Sequence, residues 1–275
     1  MPEITDDITD LLEVERVPLD DAASCAALLR FNRPEQLNAM GWDTVKALEK
    51  AVLEAAADAN VRVVLITGKG RAFSAGGDIK KYMALQTDPV AFPKFVDQFS
   101  RTLDTIRRMP KPVLALVNGV CVAGGLELVL ACDFAWAAKS ARIGDGHLNF
   151  AQIGGAGAMT RLPRLIGPAR ARELVFSGGL LSAEKALEWG LVNSVLPDEE
   201  LIPAGIAFAR EVAAKSPTAV AFTKEVIGAG LATDLESALR LERERALLYC
   251  LTLPDSMEGI NAFVEKRKPL YPRLS

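Results

Sequence analysis

Two apolar runs set the terms on which this chain can fold. Residues 61–67 form a continuous, β-branched stretch ending at Gly68, and residues 113–117 form a second such run. A run without polar alternation is apolar on both faces and belongs in a parallel sheet covered on each side. Each run leads into a cluster of small residues and then a helical pattern. After the first come Ala75, Gly76 and Gly77, with a helix predicted from Asp78. After the second, within 118–133, come Ala123, Gly124 and Gly125, with a helix predicted from the glycine pair and Glu127 one turn into it. Alternating strands and helices argue an α/β fold. Taken alone, either turn is also what a plain structural turn with a capping acid looks like.

The remaining text fits that frame. Residues 12–30 show no clean period until their end, where CAALLRF reads as a buried strand. Residues 1–11 read as frayed. Helical spacing covers 40–57, through Val45, Leu48 and Val52, and 90–109, through Phe95, Phe99, Leu103 and Ile106. Short strands are predicted at 134–138 and 141–143, then a loop at 144–158 that holds His147. Helices follow at 159–166, 168–177 and 182–189, the last capped by Ser182, then a strand at 190–195. From Leu201 the pattern is helical, at 202–216, 218–229, 235–251 and 257–266. The expected division is a mixed core over 1–200 and a helical region over 201–275.

Composition excludes several roles. A net charge of −3 gives no general attraction to nucleic acid or anionic membrane. No apolar run approaches the roughly 20 residues that span a bilayer. The acidic N-terminal text lacks secretory and mitochondrial features, which predicts a cytoplasmic protein. The four cysteines show no metal-binding spacing and read as reduced thiols. His147 is the only histidine, so neither a two-histidine metal site nor a catalytic triad independent of it can be built. No metal is expected.

Glycine turns on two different strands could each aim a backbone N–H at one point. Gly77 and Gly124 are the candidates. Two such donors form an oxyanion hole, which binds charge developing on a carbonyl oxygen and needs no side chains of its own. Glu127 could act beside that carbonyl as acid or base. The helix N-terminus favours its carboxylate and apolar neighbours disfavour it.

With those residues in view, the chain resembles the enoyl-CoA hydratase/isomerase (crotonase) superfamily over nearly its whole length. The matching text runs, in order, NRPEQLNAM, RVVLITGKGRAFSAGGDIK, KPVLALVNGVCVAGGLELVLACDFAWAAKSARIG, RLPRLIGPARARELVFSGGLLSAEKALEWGLVNSV, SPTAVAFTKE and FVEKRKP. The resemblance implies a spiral of ββα units, a helical C-terminal trimerisation region and an acyl-CoA thioester as substrate. Coenzyme A would enter as part of that substrate, with no separate cofactor, and the assembly would be a homotrimer or a dimer of trimers. It carries the oxyanion donors onto Gly77 and Gly124 and the first hydratase glutamate onto Glu127. Ala75, Asp78 and Lys80 fall at substrate- or CoA-binding positions. Phe263 and Lys266 fall where a neighbouring subunit's CoA is reached.

One departure matters. In the text ARIGDGHLNFAQIGGAGAM, His147 stands where hydratases of the family carry a second glutamate, and Gly154-Gly155 replaces the usual Pro-Gly. Histidine can donate or accept a proton near neutrality, and Asp145 is a candidate to orient its ring. Some relatives that cleave β-diketones have a histidine in this region followed by an aspartate; Ala156 stands at the latter position here. The expected reaction is hydration of a 2-enoyl-CoA. The alternatives are isomerisation, decarboxylation or C–C hydrolysis of a 1,3-dicarbonyl using Glu127 and His147, or a noncatalytic acyl-CoA-binding role. The segment 81–98 is expected at the acyl end.

Overall fold

Three times in succession the chain lays a strand in one sheet, turns through a short link and lays the next strand in a second sheet. This is seen in a computed structural model that describes residues 11–20 and 23–273. The pairs are β3 (Val61–Gly68) and β4 (Ala72–Ser74), β5 (Val113–Val117) and β6 (Val120–Val122), and β7 (Phe134–Ala138) and β8 (Arg142–Gly144). With β1 (Leu12–Pro18), β2 (Cys25–Phe31), β9 (Leu181–Ser182) and β10 (Ser194–Leu196) they form two sheets. The larger has the order β1-β2-β3-β5-β7-β10, and the smaller β4-β6-β8-β9. β1 is antiparallel to β2 and β9 to β8; the other pairings are parallel.

Asn118 joins two successive turns of this spiral. Its side-chain oxygen accepts from Gly68 N at 2.9 Å, and its amide donates to Gly70 O at 2.9 Å. It thereby supplies partners for backbone groups where the strands change sheet, the places that would otherwise lack them.

Helices cover both faces of the larger sheet. α1 (Trp42–Ala57) and α3 (Ala91–Arg108) bury Val45, Leu48, Val52, Phe99, Leu103 and Ile106 in one core with Val64, Ile66, Val113 and Ala115. The alternate residues Val63, Leu65, Leu114 and Leu116 pack in a second core with Leu201 and Ala209 of α8 (Leu201–Ala213). Burial on both faces is why these strands show no alternation. The other helices are α2 (Ile79–Gln86), α4 (Gly124–Val129), α5 (Ala158–Ile166), α6 (Pro168–Ser177), α7 (Ala183–Glu188), α9 (Pro217–Gly230), α10 (Leu235–Thr252) and α11 (Pro254–Val264).

Several expectations need correction. The unpatterned text after residue 11 is strand β1, whose exposed edge position removes the apolar signal. Leu11, expected to fray, is only 3% exposed; residues 1–10 lie outside the described residues. β6 intervenes between Asn118 and the helix, and its three residues are too short to register as a separate run. Residues 190–193 are turn, with the strand confined to Ser194–Leu196. Pro217 opens α9 rather than separating two helices, as the fixed φ of proline allows at a first helical position.

Candidate active site

The two small-residue turns meet because β4 and β6 are adjacent parallel strands ending at the same edge. Gly76 has φ +85°, and a Cβ there would stand 2.8 Å from Ala123 Cβ, 2.9 Å from Val122 O and 3.2 Å from Gly124 N. Only glycine suits that backbone and that approach. Met40 N donates to Gly76 O at 2.7 Å, and Asp78 N donates to Met40 O at 3.1 Å. These bonds flank Gly77 and leave its N–H unused. Gly124 is the first residue of α4, so its N–H has no acceptor within the helix. Among the described residues neither amide has a hydrogen-bond partner, and both glycines line one cavity.

Ala123 carries backbone strain at this point, with φ 52° and ψ −117°. Such a conformation costs a non-glycine residue about 1–3 kcal/mol. The residue is held by its N–H bonds to Asp145 O at 2.8 Å and Gly144 O at 3.3 Å.

Glu127 lies one turn into α4 and is 3% exposed. Its Oε1 accepts from Ala156 N at 2.7 Å and Ala158 N at 3.2 Å, at the start of α5. Burial raises its pKa above the ordinary glutamate value; those two hydrogen bonds and the nearby His147 oppose the rise without cancelling it.

His147 opens a short 3-10 turn, His147–Phe150, after β8. Its Nδ1 lies 2.9 Å from Oδ2 of Asp145, whose side chain has no exposed surface, and its backbone N–H donates to Asp145 Oδ1 at 3.3 Å. A carboxylate accepting at Nδ1 places a proton on that nitrogen and leaves Nε2 for chemistry. Burial alone would lower the pKa of His147; the hydrogen bond and charge of Asp145, with the charge of Glu127, raise it above the ordinary value.

Gly154 separates the two groups. A Cβ there would be 3.0 Å from His147 Cε1 and 3.1 Å from Glu127 Oε1, so these atoms are at most about 6 Å apart. The cavity they line has a volume of about 290 Å³ and continues between the aromatic rings of α2 and α3. Tyr82 meets Phe92 and Phe95 edge to face, with centroids 5.3 and 6.4 Å apart. From the segment 81–98, Tyr82, Phe92, Phe95 and Val96 stand in this wall.

The predicted residues divide into two groups. Gly77, Gly124, Glu127, His147 and Ala75 all line the cavity. Asp78 does not: its carboxylate takes Arg33 Nη1 at 3.0 Å and caps α2 through Lys81 N at 3.4 Å. Lys80 is exposed and outside the wall, Phe263 is 84% exposed on α11, and Lys266 is exposed beyond it. The amides of Ala156 and Ala158 escape sequence reasoning because backbone donors leave no residue signature. Among the described residues no group of three or more His, Cys, Asp and Glu side chains could hold a metal ion, and no helix is long and apolar enough to cross a membrane.

Successive strand pairs feeding two sheets, with helices packed outside them, form the crotonase spiral. Residues 21–273 match the family model for enoyl-CoA hydratase/isomerase, and the chain belongs to that family of enzymes. A putative enoyl-CoA hydratase/isomerase of Bacillus subtilis is 38% identical over 248 residues, spanning 89% of this chain and 94% of its own length. The crotonyl-CoA hydratase of Syntrophomonas wolfei is 36% identical over 243 residues, 88% of this chain and 92% of that one. The solved enoyl-CoA hydratase of Bacillus anthracis superposes with a TM-score of 0.88 at 36% identity, covering 95% of this chain and 98% of that chain.

Proposed function

We propose that the protein hydrates 2-enoyl-CoA thioesters. The observation that carries this reading is the shared cavity: a buried carboxylate and an Asp-held imidazole stand beside two unpaired backbone amides. The thioester oxygen binds the N–H groups of Gly77 and Gly124, which stabilise the enolate formed when water adds to Cβ. Glu127 takes a proton from that water, and His147 delivers one from Nε2 to Cα. The pair enters and leaves with one proton in total, so it works between the pH at which a second proton binds and the pH at which the last is lost. The acyl group lies between Tyr82, Phe92, Phe95 and Val96. Coenzyme A enters as part of the substrate, with Lys80 on its own subunit and Phe263 and Lys266 of a neighbour as candidate contacts. That last assignment calls for a homotrimer or a dimer of trimers, and the exposed apolar residues Leu231, Leu251 and Phe263 of the helical region support association.

Crotonyl-CoA is the test substrate, followed by loss of its conjugated ultraviolet absorbance. No turnover at high enzyme concentration would sink the hydratase reading for short chains. The oriented imidazole favours one second reading, in which His147 activates water for C–C hydrolysis of a 3-oxoacyl-CoA. Release of one carboxylic acid and a shortened acyl-CoA from such a substrate, with crotonyl-CoA inert, would select it.

A further inference from the structure

The backbone that holds Glu127 has few side chains of its own. Gly154, Gly155 and Gly157 surround Ala156, and the two donors to Glu127 belong to Ala156 and Ala158. Glycine loses more conformational freedom on folding than any other residue, by about 0.5–1 kcal/mol relative to alanine within regular elements. A segment built this way needs an anchor.

Arg161 supplies it. Its Nη1 donates to Ala156 O at 3.1 Å, and its Nη2 donates to Asp104 Oδ1 of α3 at 3.0 Å. The bonded carbonyl lies between the two amides that bind Glu127. Gly157 has φ +121°, and a Cβ there would stand 2.8 Å from Arg161 Nη1, so the guanidinium lies against bare backbone. The Arg161 side chain is 21% exposed and that of Asp104 48%.

We propose that Arg161, anchored by Asp104, is a positioning residue for Glu127, fixing the direction and proton affinity of that carboxylate without touching it or the substrate. This rests on the reading of Glu127 as the base in hydration. Asp104 holds the planar guanidinium, the guanidinium holds the Ala156 carbonyl, and the flanking peptides present their N–H groups to Oε1. Those hydrogen bonds favour the ionised carboxylate. Weakening them leaves burial less opposed, so Glu127 takes up its proton at higher pH and the acid limb of kcat/KM moves upward. The other titratable groups facing Glu127 are His147 and Asp145 from the loop after β8 and the Tyr82 phenol from α2; the variants below leave all three in place.

The test measures kcat and KM against pH for full-length Arg161→Met, Arg161→Lys and Asp104→Asn with crotonyl-CoA, alongside Tm. Methionine keeps an apolar stem and removes the fork; lysine keeps the charge but cannot bridge two acceptors in one plane. Arg161→Met is expected to lower kcat about tenfold, leave KM within about twofold and raise the acid limb by about one pH unit. Arg161→Lys should fall between it and the wild type. Asp104→Asn, on the half-exposed side of the clamp, should move the limb in the same direction with Tm nearly unchanged, and it keeps the test alive should Arg161→Met fail to fold. An acid limb that stays in place in a folded variant, or a loss confined to KM, overturns the proposal. If wild-type protein leaves crotonyl-CoA untouched, the hydratase reading fails separately. The clamp is then read from the infrared carboxyl band that Glu127→Gln removes: its titration moves upward in Asp104→Asn if the clamp acts, and an unmoved band refutes it.

Discussion

Asp145→Asn tests the histidine half of the site. Asp145 Oδ2 lies 2.9 Å from His147 Nδ1, and the Asp145 side chain has no exposed surface. Asparagine keeps the shape and removes the charge. A hydrogen bond to a charged group contributes about 1.5–3 kcal/mol, and 1.36 kcal/mol is one tenfold step in proton affinity. The imidazolium should therefore bind its proton about 10- to 100-fold less tightly, because burial already disfavours the charged ring. On the proposed mechanism His147 carries the last proton of the working pair, so the alkaline limb of kcat/KM should move down by about one to two pH units. Hydration of crotonyl-CoA, followed across the pH range in which both proteins stay folded, reads this directly. Above the wild-type limb the variant should be slower by the full factor; toward the acid limb the two rates should converge. An unmoved alkaline limb would refute the proton-holding role. A loss equal at every pH would show that Asp145 orients the ring without tuning it.

Glu127→Gln should lower the hydration rate about 10²- to 10⁴-fold yet raise Tm. With its folded-state pKa raised, Glu127 contributes most to stability when protonated, and that contribution is lost as pH rises through the folded value. At neutral pH the neutral amide avoids this cost, so a lower Tm by calorimetry would contradict the burial argument. Gly76→Ala forces a side chain into φ +85° and against Ala123 and Val122 O. It should cost about 1–3 kcal/mol in denaturant unfolding and abolish turnover; wild-type turnover would separate this turn from the chemistry. Gly154→Ala puts a methyl beside both His147 and Glu127. It should depress kcat with little change in Tm, and an unchanged kcat would show that the gap is not used. Sedimentation at micromolar concentration should give a trimer or hexamer, and a monomer would contradict the assignment of Phe263 to a neighbour's site.

What the sequence made legible follows from which interactions leave a pattern. Val63, Val64, Leu65 and Ile66 are buried on both faces of the sheet, so their uninterrupted apolar run identifies a parallel strand directly. The turns at Gly76 and Gly124 are legible because close backbone approach demands small residues. Asp145 and His147 are two residues apart, so their pairing could be suspected, but the side chains meet only because the 3-10 turn brings the ring back over the loop. β1 is an edge strand with alternating burial too weak to recognise. Asp78 has a structural role that its position beside a site glycine does not announce: its carboxylate bonds to Arg33 and to the start of α2. The hold of Arg161 on Ala156 joins a side chain to a carbonyl, and no residue pattern announces that.

On the proposed reading, in which His147 stands where hydratases carry a second glutamate, the histidine changes less in the site than its chemistry first suggests. A pair made of one carboxylate and one carboxylic acid carries a single proton and a net charge of −1. An imidazolium in place of the acid still carries one transferable proton, but it alone would make the pair neutral and would compete with the oxyanion donors for the developing negative charge. Asp145, buried and bonded to the far side of the ring, restores the net charge to −1 while leaving the proton on Nε2 available. Gly154 completes the exchange sterically. A side chain there would collide with the ring at 3.0 Å, so the wider imidazole and the missing side chain belong together. On the proposed reading, Asp145, His147 and Gly154 are one coordinated replacement for a second glutamate. Installing Glu at 147 alone would leave Asp145 buried without a cation, so His147→Glu should be less active than His147→Glu with Asp145→Asn, measured as kcat on crotonyl-CoA. Equal rates for the single and double variants would show that Asp145 and His147 are independent.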